Sequence, residues 1–436
     1  VERLCNTTRL YNGMPLDVSL LDEERNAIIT ALRQHGYYNL TPEFITFTAD
    51  TLENHRGALL TMNFRMPLGA DPRMAYQRYR LGHITIHEKR KDAAVNDTTE
   101  TELFRIIATK PAKLRKRAYH REVMLDKDSL FNEQKTQFTY QGLNSLPIVS
   151  YATVRYATPE PGDSLLNADV QVNLNQPNGV SVDIEGTNTA GDLGGAASFT
   201  FTNRSLFRGA ESLSLKLRGA YEAIKGLEGY QNQNYIEYSA EGTLRLPTLP
   251  ILFSTKSGRN IRGNSEFSLL YNSQNRPEFH RRLLTGTWGL TWYKRNMPNL
   301  QHRLDLLSLN YVFMPWISET FTKEYLEGDD PRYAVLRYTY ENLFIMKIGY
   351  SFTYNSLKKK TAATLNRTNG YQVKFNVETA GNMLYGIAKA TGQHPNSEGS
   401  RSLFGIPFSQ YAKFDFDYSK SLLLNTKQSV AFHAAF

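Results

Sequence analysis

The residues able to do chemistry in this chain are few and scattered. His83 and His87 fall at a spacing that puts both on one face of a strand, where two imidazoles could share a metal ion. No acidic residue or cysteine is clearly placed beside them, so ordinary surface histidines are expected. Glu327-Gly328-Asp329-Asp330 groups carboxylates around a glycine; this suits a calcium loop and, more simply, a solvated turn. Cys5 is the sole cysteine, which excludes an intrachain disulfide and a cysteine-rich zinc site. The chain has neither a glycine-rich phosphate loop nor a Gly-x-Ser-x-Gly elbow. With no nucleophile, base and oxyanion donor at readable spacing, an enzyme is not expected, and no catalytic, metal or cofactor residue is assigned.

Composition narrows the classes further. Lys and Arg number 51 against 42 Asp and Glu, a net charge of +9. Much of the excess sits in the short runs Lys110 to Arg117 and Lys358 to Lys360, with no nucleic-acid motif around them. A solvated face or a lipid headgroup fits those runs, and no nucleic-acid partner is expected. Mean hydropathy is −0.46, and no stretch approaches the roughly 18 to 20 apolar residues of a spanning helix. The 26 Tyr, 23 Phe and 29 Gly, with 3 Trp, suit strands and interfacial girdles instead. Val1 to Ser19 has neither a basic leader nor an apolar core, and Glu2-Arg3-Leu4-Cys5 is not a lipoprotein cleavage context. The chain is therefore expected to start mature or as an internal fragment.

The elements that must position any site come in two styles. Leu21, Ala27, Ile28, Ala31 and Leu32 recur at helical spacing over 20–32, with Asp22, Glu23 and Glu24 placed in the first turn where the helix dipole favours them. Gly36 stops the helix. Phe44 to Phe47 and Leu59 to Phe64 follow as a hairpin turned around Glu53 to Gly57. The plan repeats from Tyr79. Leu81 to Glu88 reads as a strand, the polar insert Lys89 to Glu100 as a loop, and Pro111 to Ala118 and Asn132 to Leu146 as helices. Val149 to Ala157 and Leu165 to Asn175 then form a hairpin turned at Pro159 to Asp163. Each module is strand, helices, two strands, the first lacking its opening strand.

After Asn178-Gly179 the period becomes two. Leu213, Leu215 and Leu217 alternate with Lys216 and Arg218, and Trp288, Leu290 and Trp292 with Thr287, Gly289 and Thr291. Ile348, Tyr350, Phe352 and Tyr354 alternate in the same way. Tyr371, Val373, Phe375 and Val377 oppose Lys374 and Glu378; Ala412, Phe414, Phe416 and Tyr418 oppose Lys413, Asp415 and Asp417; Val430, Phe432 and Phe436 oppose Ser429 and His433. One face is aromatic and apolar, the other charged, as a strand between lipid and a water-filled lumen requires. The predicted fold is thus α+β modules over 1–67 and 68–177, then an antiparallel transmembrane β-barrel over 178–436. About 11 strands can be counted, whereas bacterial single-chain barrels close with an even number. An incomplete barrel, ending while Phe436 still reads as strand, is expected.

The first of these strands is unusual. Gly186, Gly191, Gly194 and Gly195 interrupt it and its hairpin with residues that pack poorly and tolerate irregular backbone. Such a strand pairs weakly with a closing partner, and an edge that opens offers a template for strand addition. The alternative is that the glycines merely relieve crowding and form a turn.

The stretches Asp183-Ile184-Glu185-Gly186-Thr187-Asn188, Phe201-Thr202-Asn203-Arg204-Ser205-Leu206-Phe207-Arg208-Gly209-Ala210-Glu211 and Leu217-Arg218-Gly219-Ala220-Tyr221-Glu222 closely resemble the first barrel strands of the BamA/TamA superfamily, in particular TamA-like proteins of Bacteroidetes. Asn275 to Phe279, Leu309 to Val312 and Glu378 to Asn382 extend the resemblance along the chain, and the front modules resemble that family's POTRA repeats. The resemblance implies a bacterial outer-membrane protein with its POTRA modules in the periplasm. It implies a lateral gate at Gly179, Val180, Ser181, Val182, Asp183, Ile184, Glu185, Gly186 and Thr187, and motif turns at Asn188, Gly191, Gly194, Asn203, Phe207, Arg208 and Gly209. Lys216, Arg218, Lys374, Glu378, Lys413, Asp415 and Asp417 would face the lumen. Its partners would be outer-membrane lipid, unfolded outer-membrane protein substrates and a TamB-like protein anchored in the inner membrane. The role would be assembly of barrel proteins or, alternatively, secretion of polypeptide through the lumen. The family's fourth extracellular loop would lie over 315–344, with Tyr325, Tyr333, Leu336 and Tyr340 at helical spacing. The family barrel has about sixteen strands and an Arg-Gly-aromatic loop after the eleventh. Ile261-Arg262-Gly263-Asn264 is not that motif, being placed in an earlier turn.

Overall fold

The computed structural model describes residues 8, 10–51, 57–69, 71–89, 95–109, 114–157, 162–189, 192–224, 234–249, 258–327, 333, 337, 339–356, 369–390, 402–403, 406–408, 410–425 and 428–436. The chain divides into two compact units, Val1–Asn175 and Gln176–Phe436.

In the first unit, helix α1 (Val18–Arg33) is opened by Asp17, whose carboxylate accepts a hydrogen bond from the Ser19 amide at 2.8 Å. Capping of this kind stabilises a helix by roughly 1 kcal/mol. It also shifts the start upstream, so Asp22, Glu23 and Glu24 lie in the second turn and not, as the sequence reading expects, the first. Ile29 packs with Leu40, Phe44, Ile45 and Ala75, against Ile28, Leu32, Tyr37 and Phe47. This joins α1 to the antiparallel hairpin of β1 (Ile45–Thr51) and β2 (Ala58–Phe64). Burying each of the larger of these side chains contributes roughly 1.5–3 kcal/mol.

The remainder of the unit is a five-stranded mixed sheet ordered β4-β5-β3-β7-β6, built of β3 (Arg80–Lys89), β4 (Val95–Glu100), β5 (Arg105–Thr109), β6 (Val149–Tyr156) and β7 (Leu165–Leu174). Strand β3 runs parallel to both β5 and β7, whereas β4–β5 and β6–β7 are antiparallel pairs. Two expectations are corrected here. Lys89 to Glu100 is not a continuous loop, since Val95–Glu100 forms an edge strand, a position that tolerates its polar sequence. Its partner β5 was missing from the module plan, although Ile106-Ile107 is a β-branched signal.

The first helix of this module, α2 (Lys116–Glu122), starts later than the expected Pro111, which lies outside the described residues. Helix α3 (Glu133–Asn144) is capped by Asn132, whose side chain accepts from the Lys135 amide at 3.1 Å. Ile84, Ile86, Leu166, Val170, Val172, Tyr119 and Leu143 are all buried core residues of this module. The buried Tyr119 hydroxyl donates to Glu88 Oε2 at 2.7 Å, and burial pushes its pKa well up.

Beside a short hairpin of Ser402–Leu403 and Ile406–Pro407, the described residues of the second unit form an antiparallel meander of eleven strands, each hydrogen-bonded to the next. They are β8 (Asn178–Thr189), β9 (Asp192–Asn203), β10 (Ser212–Ala223), β11 (Asn234–Leu246), β12 (Ile261–Asn275), β13 (Phe279–Lys294), β14 (Met297–Ile317), β15 (Leu343–Asn355), β16 (Gly370–Ala380), β17 (Tyr411–Asn425) and β18 (Gln428–Ala435). Among the described residues β8 pairs only with β9 and β18 only with β17, so the sheet is not closed. Arg262-Gly263-Asn264 belongs to strand β12, which corrects its expected place in a turn.

Between β14 and β15 a helical turn, Glu319–Phe321, widens into a π-type turn, Thr322–Leu326. The helix therefore begins ahead of the expected Tyr325 spacing. Leu336, Gly328-Asp329-Asp330, Lys358 to Lys360 and Gly191 lie outside the described residues. Helix α4 (Asn382–Ala390) follows β16.

Candidate functional site: a free sheet edge between an apolar and a polar face

Antiparallel register decides which side chains share a face, because residues directly opposite project together. Val182 lies opposite Phe199, Phe199 opposite Leu217, Leu217 opposite Ala240, Ala240 opposite Tyr271, Tyr271 opposite Leu284 and Leu284 opposite Tyr311. Further along, Phe352 lies opposite Phe375, and Phe375 opposite Phe416. This apolar row crosses the sheet and is exposed: Val182 is 64% accessible, Ile184 84%, Leu217 57%, Leu269 58% and Phe414 60%. Such an extended apolar face is foreign to soluble monomers, whose apolar patches seldom exceed a few hundred Å². A hollow of about 580 Å³ opens among Val182, Ala197, Phe199, Leu217, Gly219 and Tyr238.

The opposite face carries the charged residues, with an apolar strip of Leu270, Leu283, Val312 and Leu343 across its middle strands. Lys216 lies opposite Glu241, Lys374 opposite Asp417 and Glu378 opposite Lys413. Arg218 pairs with Glu185 at 3.1 Å, Lys347 with Glu378 at 3.0 Å, Lys413 with Asp415 at 3.0 Å and His433 with Asp417 at 2.7 Å. Asn376 donates to Asp415 at 3.0 Å, Asn272 to Glu237 at 2.7 Å, and Arg245 pairs with Glu266. Gly289 makes room for this network, since a Cβ there would meet Asp305 Oδ1 at 2.9 Å. Register thus brings Lys216, Arg218, Lys374, Glu378, Lys413, Asp415 and Asp417 onto one face. Sequence inspection did not single out Glu241, and it placed Glu185, Lys347 and His433 without their partners, because those pairings depend on register between strands.

The Gly179 to Thr187 segment occupies β8, the first edge of the sheet. Gly179, Ser181, Asp183, Glu185 and Thr187 belong to the polar face and Val180, Val182, Ile184 and Gly186 to the apolar one. Asn188 and Gly194 continue this hairpin, where Asn188 lies opposite Leu193 and Gly194 opposite Thr187. Gly194 is tightly approached: a Cβ would meet the Tyr221 carbonyl oxygen at 2.7 Å. Asn203 ends β9, and Phe207, Arg208 and Gly209 sit in the turn between β9 and β10.

Of the two histidines singled out by spacing, His87 faces Asp169 from β7 at 3.2 Å, and the His83 amide donates to Asn167 Oδ1 at 2.8 Å. No group of three or more His, Cys, Asp or Glu is assembled for a metal ion among the described residues.

No protein-family model and no curated protein matches the chain. Solved structures similar to it include BamA from Haemophilus ducreyi lacking POTRA domains 1–3, at 9% identity and a TM-score of 0.37 over 100% of this chain and 93% of that one. CdiB from Escherichia coli is similar at 11% identity and a TM-score of 0.39, covering 96% of this chain and 64% of that one. CdiB from Acinetobacter baumannii stands at 11% identity and a TM-score of 0.27, over 96% and 79% of the two chains.

Proposed function

We propose that the chain is an outer-membrane β-barrel assembly factor of the BamA/TamA type, whose first unit works as POTRA modules in the periplasm. The observation that carries the reading is a meander with one exposed apolar face, one charged face and an edge strand, β8, without a second neighbour among the described residues. An apolar face of this extent is stabilised by lipid, which replaces the packing layer a soluble sheet would require. The 12-residue β8 edge offers backbone donors and acceptors to an incoming strand, and alternate side chains of that strand would meet lipid and water in the same order as those of β8. Burial of the client's apolar surface and pairing of its backbone supply the driving force, so the step needs no nucleotide. Outer-membrane lipid, unfolded barrel proteins and a TamB-like periplasmic protein are the partners of this reading.

Photo-crosslinking in cells tests it. A photoreactive residue at Ser181 should capture nascent outer-membrane proteins, whereas one at Ser239, inside the sheet on β11, should not. Equal capture at both positions would contradict an edge-templated insertion.

The charged face favours a second reading, secretion of polypeptide along a polar channel. Reversing Lys216 and Arg218 separates the two: altered conductance with intact client assembly supports the channel, and lost assembly with unaltered conductance supports the insertase.

A further inference from the structure

The turn between β9 and β10 carries residues that neither reading uses. Its backbone is tied down on every side. The Ser205 amide donates to Asn203 Oδ1 at 3.0 Å and the Arg208 amide to the Ser205 carbonyl at 3.2 Å. Glu211 closes the loop twice. Its carbonyl accepts from the Leu206 amide at 3.1 Å, and its carboxylate accepts from the Phe207 and Gly209 amides at 3.2 and 2.8 Å. Arg208 and Ala210 are held at φ of 65° and 66°, the left-handed region that side chains other than glycine resist. Strained backbone persists only where its surroundings over-determine it.

The turn buries Ala210 and holds Leu206 and Phe207 out, at 36% and 52% exposure, with Arg208 exposed beside them. A loop free to relax would fold those apolar side chains back. This one cannot, because its amides are already committed to Glu211, Asn203 and Ser205.

We infer that the Leu206-Phe207 tip is a membrane foot, seated at the boundary between the headgroups and acyl chains of the leaflet at the end of the sheet where β8 begins. The inference rests on the membrane reading of the sheet. Its occupant is lipid because the tip continues the apolar face: Phe201, just before the turn, and Leu213 and Leu215, just after it, belong to that face by register. An apolar pair with an adjacent arginine is also the side-chain chemistry of the interface, where rings and aliphatic chains enter the acyl boundary and guanidinium groups stay at phosphate level. The foot would fix the height of the sheet in the bilayer at the hairpin next to the β8 edge.

The test uses the full chain with Cys5→Ser as background, carrying either Phe207→Cys or Leu217→Cys. Each is labelled with an environment-sensitive fluorophore and reconstituted into vesicles of phosphatidylcholine and phosphatidylglycerol. Lipids brominated near the carboxyl end or near the methyl end of their chains report depth, and aqueous iodide reports exposure to water. The expected result is a blue shift at both positions, with shallow bromine quenching the Phe207 label most and deep bromine the Leu217 label most. A deep Leu217 label with an iodide-quenched, unshifted Phe207 label would overturn the foot alone. A Leu217 label quenched by iodide would overturn the membrane reading and the foot together.

Discussion

In the first unit, single side chains tie together elements that are distant in sequence. Arg33 pairs with Glu133, donates to the Tyr38 carbonyl at 2.6 Å and lies 5.7 Å from the ring centres of Tyr38 and Phe131, tying α1 to α3. Tyr156 meets the same aromatic cluster and shares a 2.5 Å hydrogen bond with Thr136 Oγ1; burial pushes its pKa up to about 12. A tyrosine raised in the folded state favours the neutral form. Its contribution is therefore whole below the unfolded pKa near 10 and is lost as pH rises from there through about 12. Urea unfolding of the first unit, read by circular dichroism at pH 9 and at pH 11, should show this alkaline loss. Tyr156→Phe should cost about 1 kcal/mol at pH 9, from the lost hydrogen bond, and make the alkaline slope shallower. Tyr119, also raised by burial, leaves part of that slope in place. The roles of Arg33 and Tyr156 were illegible in the sequence, because Glu133 lies 100 residues from Arg33 and Thr136 lies 20 residues from Tyr156. A period of two or of 3.6 reports a residue's face and says nothing of its distant partner.

Elements were legible wherever a periodic apolar stripe coincided with burial or with exposure to one solvent. The hairpin β6–β7 and the strands from β10 onward follow their alternation closely. The polar strand β4 did not, since Val95-Asn96-Asp97-Thr98-Thr99-Glu100 has no apolar period; the strand exists because β5 offers it an edge. Likewise the start of α1 is set by the Asp17 cap and not by its acidic residues. Leu143 is fully buried on α3, so Leu143→Ala should destabilise the first unit by about 2–5 kcal/mol, measured as a lower urea midpoint. Ile184, exposed on the apolar face of β8, should behave in the opposite sense to a surface residue of a soluble protein. Ile184→Lys should destabilise the bilayer-inserted form by about 2–4 kcal/mol if the residue lies at the midplane. The readout is the urea midpoint of the reconstituted protein, with no comparable change for Ser181→Lys on the polar face.

At the scale of the whole molecule, one sheet with unlike faces organises the account. Side chains alternate between the two faces along the strands, so a one-residue slip in the strands that hold Lys216, Lys374 or Asp415 would send charges into the apolar face. The bulge between Trp288 and Gly289 against Leu307 and Asp305 keeps Leu304, Leu307 and Leu309 on the apolar side despite an extra residue. The eleven strands and the alternation of faces could be read from the sequence; the pairing of charges across the polar face and the committed amides of the 203–212 turn required the fold. An accessibility scan tests whether one face of the sheet meets lipid and the other meets water. Single cysteines at each position from Leu213 to Arg218 and from Tyr371 to Glu378, in a Cys5→Ser chain reconstituted into liposomes, are exposed to a membrane-impermeant maleimide. Reaction at Ser214, Lys216, Arg218, Lys374 and Glu378 alternating with protection at Leu215, Leu217, Val373, Phe375 and Val377 is the predicted result. Uniform reaction along both strands would contradict it.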